Sequence, residues 1–208
     1  SYSETLARQT FKELTPIVQQ EFLGGPIFIG NPDLQTSALK NYDLRLDYRP
    51  YSGSLLSVSY FYKDIDDPIE YIQRTTQFNF TYPVNYPEGY MQGIEFEARQ
   101  SLGEFIEELD GLDVGANATF IDSRVTLTDE EIASFNDPLV NAPLQTRDMT
   151  GAPEHLYNLY VTYDIAPTRT QLGLFYTVQG DTLVSGAAVS DAEADRNFVP
   201  SVYAKQFD

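Results

Sequence analysis

The sequence contains no cysteine, no tryptophan and a single histidine, His155, in 208 residues. Without cysteine there is no disulfide framework, no thiolate zinc site and no thiol nucleophile. One imidazole cannot build a multi-histidine metal centre. Basic residues are also scarce: 13 Lys and Arg face 31 Asp and Glu, for a formal charge of −18. Nucleic acid is therefore not an expected partner, because phosphate binding is driven by Lys and Arg neutralisation. No run of 18 apolar residues occurs, so no transmembrane helix is expected. No charged-then-apolar leader opens the chain. Aromatics and turn formers are plentiful, with 15 Tyr, 13 Phe, 13 Gly and 12 Pro. This is the composition of an all-β chain with many turns, not of a disordered acidic tail.

Alternation with period two, which sends successive side chains to opposite faces of a sheet, is the strongest pattern. In residues 41–49, Tyr42, Leu44, Leu46 and Tyr48 alternate with Asn41, Asp43, Arg45, Asp47 and Arg49. The pattern returns with Leu56, Val58, Tyr60 and Tyr62, with Ile94, Phe96 and Ala98, and with the run from Leu112 to Phe120. It returns again with Tyr157, Leu159, Val161 and Tyr163, and with Leu172, Leu174, Tyr176 and Val178. Across these six segments the apolar face has 24 positions without a charge, and the opposite face carries ten charged side chains. Partial strands at residues 2–8 and 202–208 bring the expected count to about eight.

The connections sort by length. Residues 50–53, 102–110 and 166–168 are short, whereas 10–38, 65–88, 123–154 and 180–201 are long, and the two kinds alternate. An antiparallel up-and-down meander with short turns at one rim and long loops at the other is the plan of an outer-membrane barrel. The long loops are then expected outside and the short turns at the periplasmic rim. Tyr42 and Tyr48 lie six residues apart, as do Tyr157 and Tyr163, which at strand rise is about 20 Å. That spacing suits aromatic girdles bounding an apolar band. Cross-strand aromatic pairing in a soluble core is the other reading of the same residues. A small closed barrel would need a side-chain-filled interior, whereas the polar face here is rich in small residues, charges and amides. Strand-like segments at both ends of the chain point the same way, to an open segment of a larger barrel.

Short motifs follow one another along this meander. Ser1-Tyr2-Ser3-Glu4-Thr5 continues to Arg8, with Gln9 at a position where the matching pattern has proline. Gly30-Asn31-Pro32-Asp33-Leu34 precedes Asn41-Tyr42-Asp43-Leu44. Then come Phe61-Tyr62-Lys63-Asp64-Ile65 through Ile69, Gly93-Ile94-Glu95-Phe96-Glu97, Ala116-Asn117-Ala118-Thr119-Phe120 through Ser123, and Gly151-Ala152-Pro153 through Asn158. In order and spacing these segments resemble the barrel region of TonB-dependent outer-membrane receptors. The resemblance implies a barrel of about 22 strands with a plugged lumen, of which residues 1–208 would be a partial barrel domain, with signal peptide, plug and C-terminal strands lying elsewhere. It also implies a place in the outer membrane of a Gram-negative bacterium, lipid outside the wall, the plug and through it TonB as partners, and uptake of a scarce small-molecule or oligosaccharide substrate. Siderophores, vitamins and carbohydrates are the substrate classes implied. No cofactor is implied.

The candidate site residues fall into two groups. Asp43, Arg45, Asp47, Arg49, Glu95, Glu97, Arg99 and Asp113 read as a polar lumenal wall, which the resemblance would place against the plug. Tyr71, Arg74, Phe78, Phe80, Tyr82 and Tyr86 crowd residues 65–88, and loop aromatics of this kind stack on sugars, aromatic siderophores or corrin rings. The same residues would alternatively extend the strands above the membrane. Asp64, Asp66 and Asp67 offer oxygen ligands but lack the rest of a calcium loop, so solvated charge is the preferred reading and no metal site is expected. His155 has no Gly-x-Ser-x-Gly elbow to serve, and an enzyme is not expected. A passive porin and a soluble β binding module are the alternatives to a transport receptor.

The two faces differ in a way that substitution reads directly. On the lipid face of a barrel, Leu44→Arg is expected to cost ~2–4 kcal/mol. Asp43→Asn, one residue away on the other face, is expected to be far milder. Unfolding from detergent micelles measures both, and equal losses would mean that the alternation marks no lipid boundary.

Overall fold

The computed structural model describes residues 1–20, 23, 26–129, 132, 145–186, 188–189, 198–199 and 202–204. In chain order the elements are β1 (Tyr2–Ala7), α1 (Phe11–Leu14), β2 (Val18–Gln20), β3 (Ile27–Ile29), β4 (Ser37–Tyr48), β5 (Ser54–Asp66), β6 (Ile69–Thr75), β7 (Asn79–Asn85) and β8 (Glu88–Ser101). They continue with β9 (Leu112–Thr126), β10 (Thr146–Arg147), β11 (His155–Ile165), β12 (Thr170–Gln179), β13 (Thr182–Ser185), β14 (Ala188–Val189), β15 (Phe198–Val199) and β16 (Val202–Ala204). No helix among the described residues is long and apolar enough to cross a membrane.

The main sheet runs β1-β4-β5-β8-β9-β11-β12, with β10 added to β9 as its eighth member. Every neighbouring pair is antiparallel, which is the expected all-β meander. The sheet is open: β1 and β12 stand at its two ends, and no ladder joins them among the described residues. Register carries the alternation across the strands. Leu46, Val58, Phe96, Ala118 and Tyr157 stand on one rung, and Asp47, Ser57, Glu97 and Asn117 on a rung of the opposite face.

Among the described residues, the apolar face has no protein against it. Leu44 is 71% exposed and Leu174 is 72% exposed. In water such a face would be an aggregation surface, so a non-aqueous phase is its natural neighbour. At the loop end of this face, the rings of Tyr2, Tyr42, Tyr62 and Tyr90 follow one another across β1, β4, β5 and β8 at centroid spacings of 5.1, 6.1 and 6.2 Å. One step beyond, Lys40 lies 3.5 Å from Asp64 and 3.7 Å from Asp66. An aromatic row followed by charges marks the edge of the apolar band.

The short connections are tight. Gly111 opens β9 with φ +83, and a Cβ there would meet the Asp164 carbonyl oxygen at 2.4 Å. Only glycine permits both that backbone and that approach. The stretch between β8 and β9 is two 3-10 turns, Leu102–Glu104 and Glu107–Leu109.

Residues 65–88, for which a long loop and strands extended above the membrane were both open, are strand: β5 extends to Asp66, and β6 and β7 form a hairpin in the sheet β2-β3-β7-β6. One expectation is corrected. The terminal trace 202–208 does not border the meander. Val202–Ala204 instead pairs with β13, and 205–208 lie outside the described residues. Part of the connection 123–154 also lies outside them, at 130–131 and 133–144.

The apolar core gathers at the loop rim, where Ile65, Ile72, Tyr86, Val125, Leu127 and Met149 are buried together. A buried ion pair sits beside it. Arg147 Nη1 donates to Glu70 Oε2 at 2.6 Å, and the Thr150 N–H donates to the same oxygen at 2.9 Å. The Arg147 guanidinium also lies over the Tyr86 ring at 4.7 Å. Glu70 is 1% exposed, and burial pushes its carboxyl above the usual range, while Arg147 and Thr150 pull it back. Removing one partner from such a pair leaves a buried uncompensated charge, so Arg147→Met is expected to destabilise the rim by ~3–5 kcal/mol. The double variant Glu70→Leu/Arg147→Met is expected to recover most of that loss. Urea unfolding followed by limited proteolysis measures both, and additive losses would show that the two groups are not coupled.

Candidate functional site

Two surfaces could meet a ligand or partner: the rim of loops and the polar face of the wall. At the rim, α1 is held by a capping box. The Thr10 side chain accepts from the Glu13 N–H at 3.3 Å, and Glu13 Oε2 accepts from the Thr10 N–H at 2.6 Å. The other oxygen of Glu13 accepts from the Tyr71 hydroxyl at 2.8 Å, which ties the first long connection to β6. Asn31 Nδ2 donates to the Pro83 carbonyl at 3.1 Å, and Asn85 Nδ2 donates to Gln35 O at 3.0 Å and Asp67 O at 2.8 Å. Gly186 exchanges backbone hydrogen bonds with β6, donating to Tyr71 O at 2.7 Å and accepting from Gln73 N at 3.0 Å. The long connections are therefore cross-braced into one cap.

This bracing divides the six candidate rim residues. Tyr71 lies on one face of the hairpin, its ring edge-on to Phe28 at 5.6 Å. Burial and the hydrogen bond to Glu13 push its hydroxyl well above the usual range, so it remains a neutral donor. Tyr86 and Phe80 are buried. On the other hairpin face the Arg74 guanidinium lies over Tyr82 at 4.6 Å, and Tyr82 meets Phe80 edge-on at 6.3 Å. Phe78, 41% exposed at the hairpin tip, packs on Phe80 at 5.8 Å. Phe78 thus keeps the most accessible surface, Tyr71, Arg74 and Tyr82 are half-buried, with Tyr82 packed against the buried cluster, and Phe80 and Tyr86 are buried. Glu13, Glu70 and Arg147 are structural members that sequence inspection passed over. The capping-box spacing from Thr10 to Glu13 was the one signal available for them.

The eight wall residues share one face, as their alternation requires, but they are not equivalent. Arg45 bridges Asp47 and Glu97, each at 2.8 Å, and Ser57 donates to Asp47 at 2.7 Å. Asp43 accepts from the Ser1 hydroxyl at 3.1 Å. Arg49, Arg99 and Asp113 instead line a recess of 570 Å³ at the short-turn end, floored by Tyr160. Arg99 and Asp113 form no ion pair or hydrogen bond with the described residues, whereas Arg49 interacts electrostatically with Asp47. Tyr160 lies flat because its rung partner is Gly115, where a Cβ would meet the ring at 2.2 Å. Phe61 lies over Gly93 in the same manner.

Asp64 and Asp66 share the single cation of Lys40, and no cluster of three His, Asp or Glu side chains suited to a metal occurs among the described residues. His155 packs on the Tyr157 ring at 5.0 Å, at the loop end of β11.

The family model described as "TonB dependent receptor-like, beta-barrel" matches residues 1–202. No curated protein matches the chain. Among solved structures, the chain is similar to a mutant ferric enterobactin receptor from Pseudomonas aeruginosa, with 15% identity and a TM-score of 0.48, over 97% of this chain and 28% of that one. The chain spans less than a third of the length of that receptor. An open antiparallel meander with one apolar and one charged face, matched along nearly its whole length by that family model, belongs to the TonB-dependent receptor β-barrel family.

Proposed function

We propose that this chain is part of the wall and outer cap of an outer-membrane active-transport receptor. In this reading residues 1–208 are a partial barrel domain in the outer membrane of a Gram-negative bacterium. The receptor binds a scarce substrate at the loop rim and imports it with energy delivered by TonB through a plug. The observation that carries the reading is the division of one sheet into an uncharged, uncovered face and a charged opposite face, capped at one rim only. Lipid covers the first face and the plug faces the second. The chain takes no part in bond-making chemistry, as befits a family of transport receptors.

The substrate is a siderophore, a vitamin or a carbohydrate, and its contact in this chain is Phe78 with the Arg74–Tyr82 pair. An exposed ring beside a guanidinium stacked on a second ring offers π-faces and one cation to a flat or polyhydroxylated ligand. The remaining rim aromatics act indirectly, by fixing the hairpin.

Uptake by intact cells tests the proposal. Deleting the gene and restoring it full-length should remove and restore accumulation of one labelled class among ferric siderophores, cobalamin and oligosaccharides. That accumulation should stop when the proton-motive force is collapsed or TonB is deleted. Phe78→Ala should raise the half-saturating substrate concentration by about tenfold. Uptake that continues undiminished without TonB would identify a passive pore and overturn the proposal.

A further inference from the structure

The last long connection reaches across the cap and closes on the hairpin that carries Phe78. Residues 182–186 form a clasp. One end is fixed to the connection before β11: the Gly151 N–H donates to the Leu183 carbonyl at 2.9 Å, and Thr182 forms an antiparallel bridge with Pro153. The other end lies along β6, where Gly186 forms a parallel bridge with Ile72 and Gln73 Nε2 donates to the Ser185 hydroxyl at 2.5 Å. Leu183, Ser185 and Gly186 are buried. β6 is an end strand of the sheet β2-β3-β7-β6, so the clasp satisfies backbone groups that an open edge would leave to water.

Where the clasp meets β6, it also meets the buried ion pair. A Cβ on Gly186 would stand 2.7 Å from Arg147 Nε and 2.8 Å from its Cζ. Gly186 has no positive φ, so its backbone accepts alanine and only the missing space demands glycine. The guanidinium is not free to swing away. Glu70 holds its Nη1 at 2.6 Å, and the Tyr86 ring lies 4.7 Å from its centre. Tyr86 belongs to the buried cluster on which Tyr82 packs. From Tyr82, Phe80 and then Phe78 follow ring on ring at 6.3 and 5.8 Å. One line of packing therefore runs from Gly186 to the exposed ring at the hairpin tip.

We propose that Gly186 is a positioning residue of the rim site. Seated against Arg147, it closes the clasp on β6 and so fixes the pose in which the hairpin presents Phe78 to substrate. Gly186 itself is buried and touches no substrate. Its contribution is pre-organisation: a hairpin already held in its binding geometry has less freedom to lose when substrate arrives. Loss of the clasp therefore weakens binding without slowing the transport step that follows. The inference rests on the receptor reading of the rim, and adds the element that sets the affinity of that rim.

Uptake and hydrogen exchange on the full-length receptor test this. The probe is whichever labelled ferric siderophore, cobalamin or oligosaccharide the unmodified receptor accumulates. Gly186→Ala should raise its half-saturating concentration by about fivefold and leave the maximal uptake rate per receptor unchanged. It should also speed exchange of the Gln73 amide, which donates to Gly186 O at 3.0 Å, by about tenfold. Amides of β4 and β5 should exchange as before. In the Glu70→Leu/Arg147→Met background no guanidinium opposes the added methyl group, so Gly186→Ala should change neither quantity further. In the Phe78→Ala background it should still speed exchange but no longer move the half-saturating concentration. The heat-modifiable band in the outer-membrane fraction counts folded receptor. Ser185→Ala, which adds no atom, should shift both quantities less and in the same direction, and it carries the test if Gly186→Ala does not reach the outer membrane. Faster exchange with an unchanged half-saturating concentration would overturn the proposal, as would full additivity with the Leu/Met pair or a fall in the maximal rate alone. Uptake by the unmodified receptor that ignores the loss of TonB would instead sink the receptor reading itself.

Discussion

Inside hydrocarbon, a peptide N–H or C=O without a partner costs several kcal/mol, and the rest of this structure follows from that penalty. The wall meets it with long, unbroken ladders. Asn41 to Tyr48 finds partners on β5, and residues 54–66 pair in one continuous register with residues 100–88 of β8. Once the backbone is committed to the ladder, the only freedom left is which side chain points each way. The lipid side then accepts Leu, Val, Tyr and Phe, and the lumenal side accepts charges and amides. Glycine enters the wall where an aromatic must lie down, as Gly93 does beneath Phe61 and Gly115 beneath Tyr160. The recess lined by Arg99 and Tyr160 is a product of that exchange.

Beyond the aromatic row the constraint relaxes, because water can satisfy the backbone, and ordinary folding physics returns. The cap has a buried apolar cluster, a capped helix turn, side-chain amides bonded to carbonyls and a buried ion pair. A soluble domain is assembled in the same way. Its cost is that residues with the chemistry to bind a ligand are partly consumed in holding the loops. Tyr71 and Tyr86 serve the cap and Tyr82 packs on its buried cluster, which leaves Phe78 as the most exposed of the six.

The wall was legible in the sequence because period two is a local property, readable in six or eight residues. Asn41–Tyr48 and Tyr157–Tyr163 could each be assigned with no knowledge of their partners, and the alternating lengths of the connections supplied the topology. The cap was not legible, because its interactions join distant residues. Glu70 and Arg147 are 77 positions apart, and Gln73 and Ser185 are 112 apart. The β6–β7 hairpin was hidden for another reason: Pro83 interrupts the strand signal. Alternation alone put the wall residues on one face, yet nothing local told the saturated Arg45 from Arg99, whose cross-strand neighbours are Leu55 and Gly115. That difference comes from the strands on either side. The C-terminal trace looked like another wall strand because Val202-Tyr203-Ala204 has strand composition, but composition does not choose a partner, and β13 is the one it has.

The central claim is that the sheet separates lipid from a polar lumen, one residue at a time. Spin-label accessibility along β4 of the full-length receptor in liposomes measures this most directly. Labels at Tyr42, Leu44, Leu46 and Tyr48 should collide with oxygen and be shielded from a water-soluble nickel chelate. Labels at Asp43, Arg45 and Asp47 should show less oxygen contact, so that the ratio oscillates with period two along the strand. A ratio that stays flat across these seven positions, or that reverses so that the charged face meets lipid, would contradict the account.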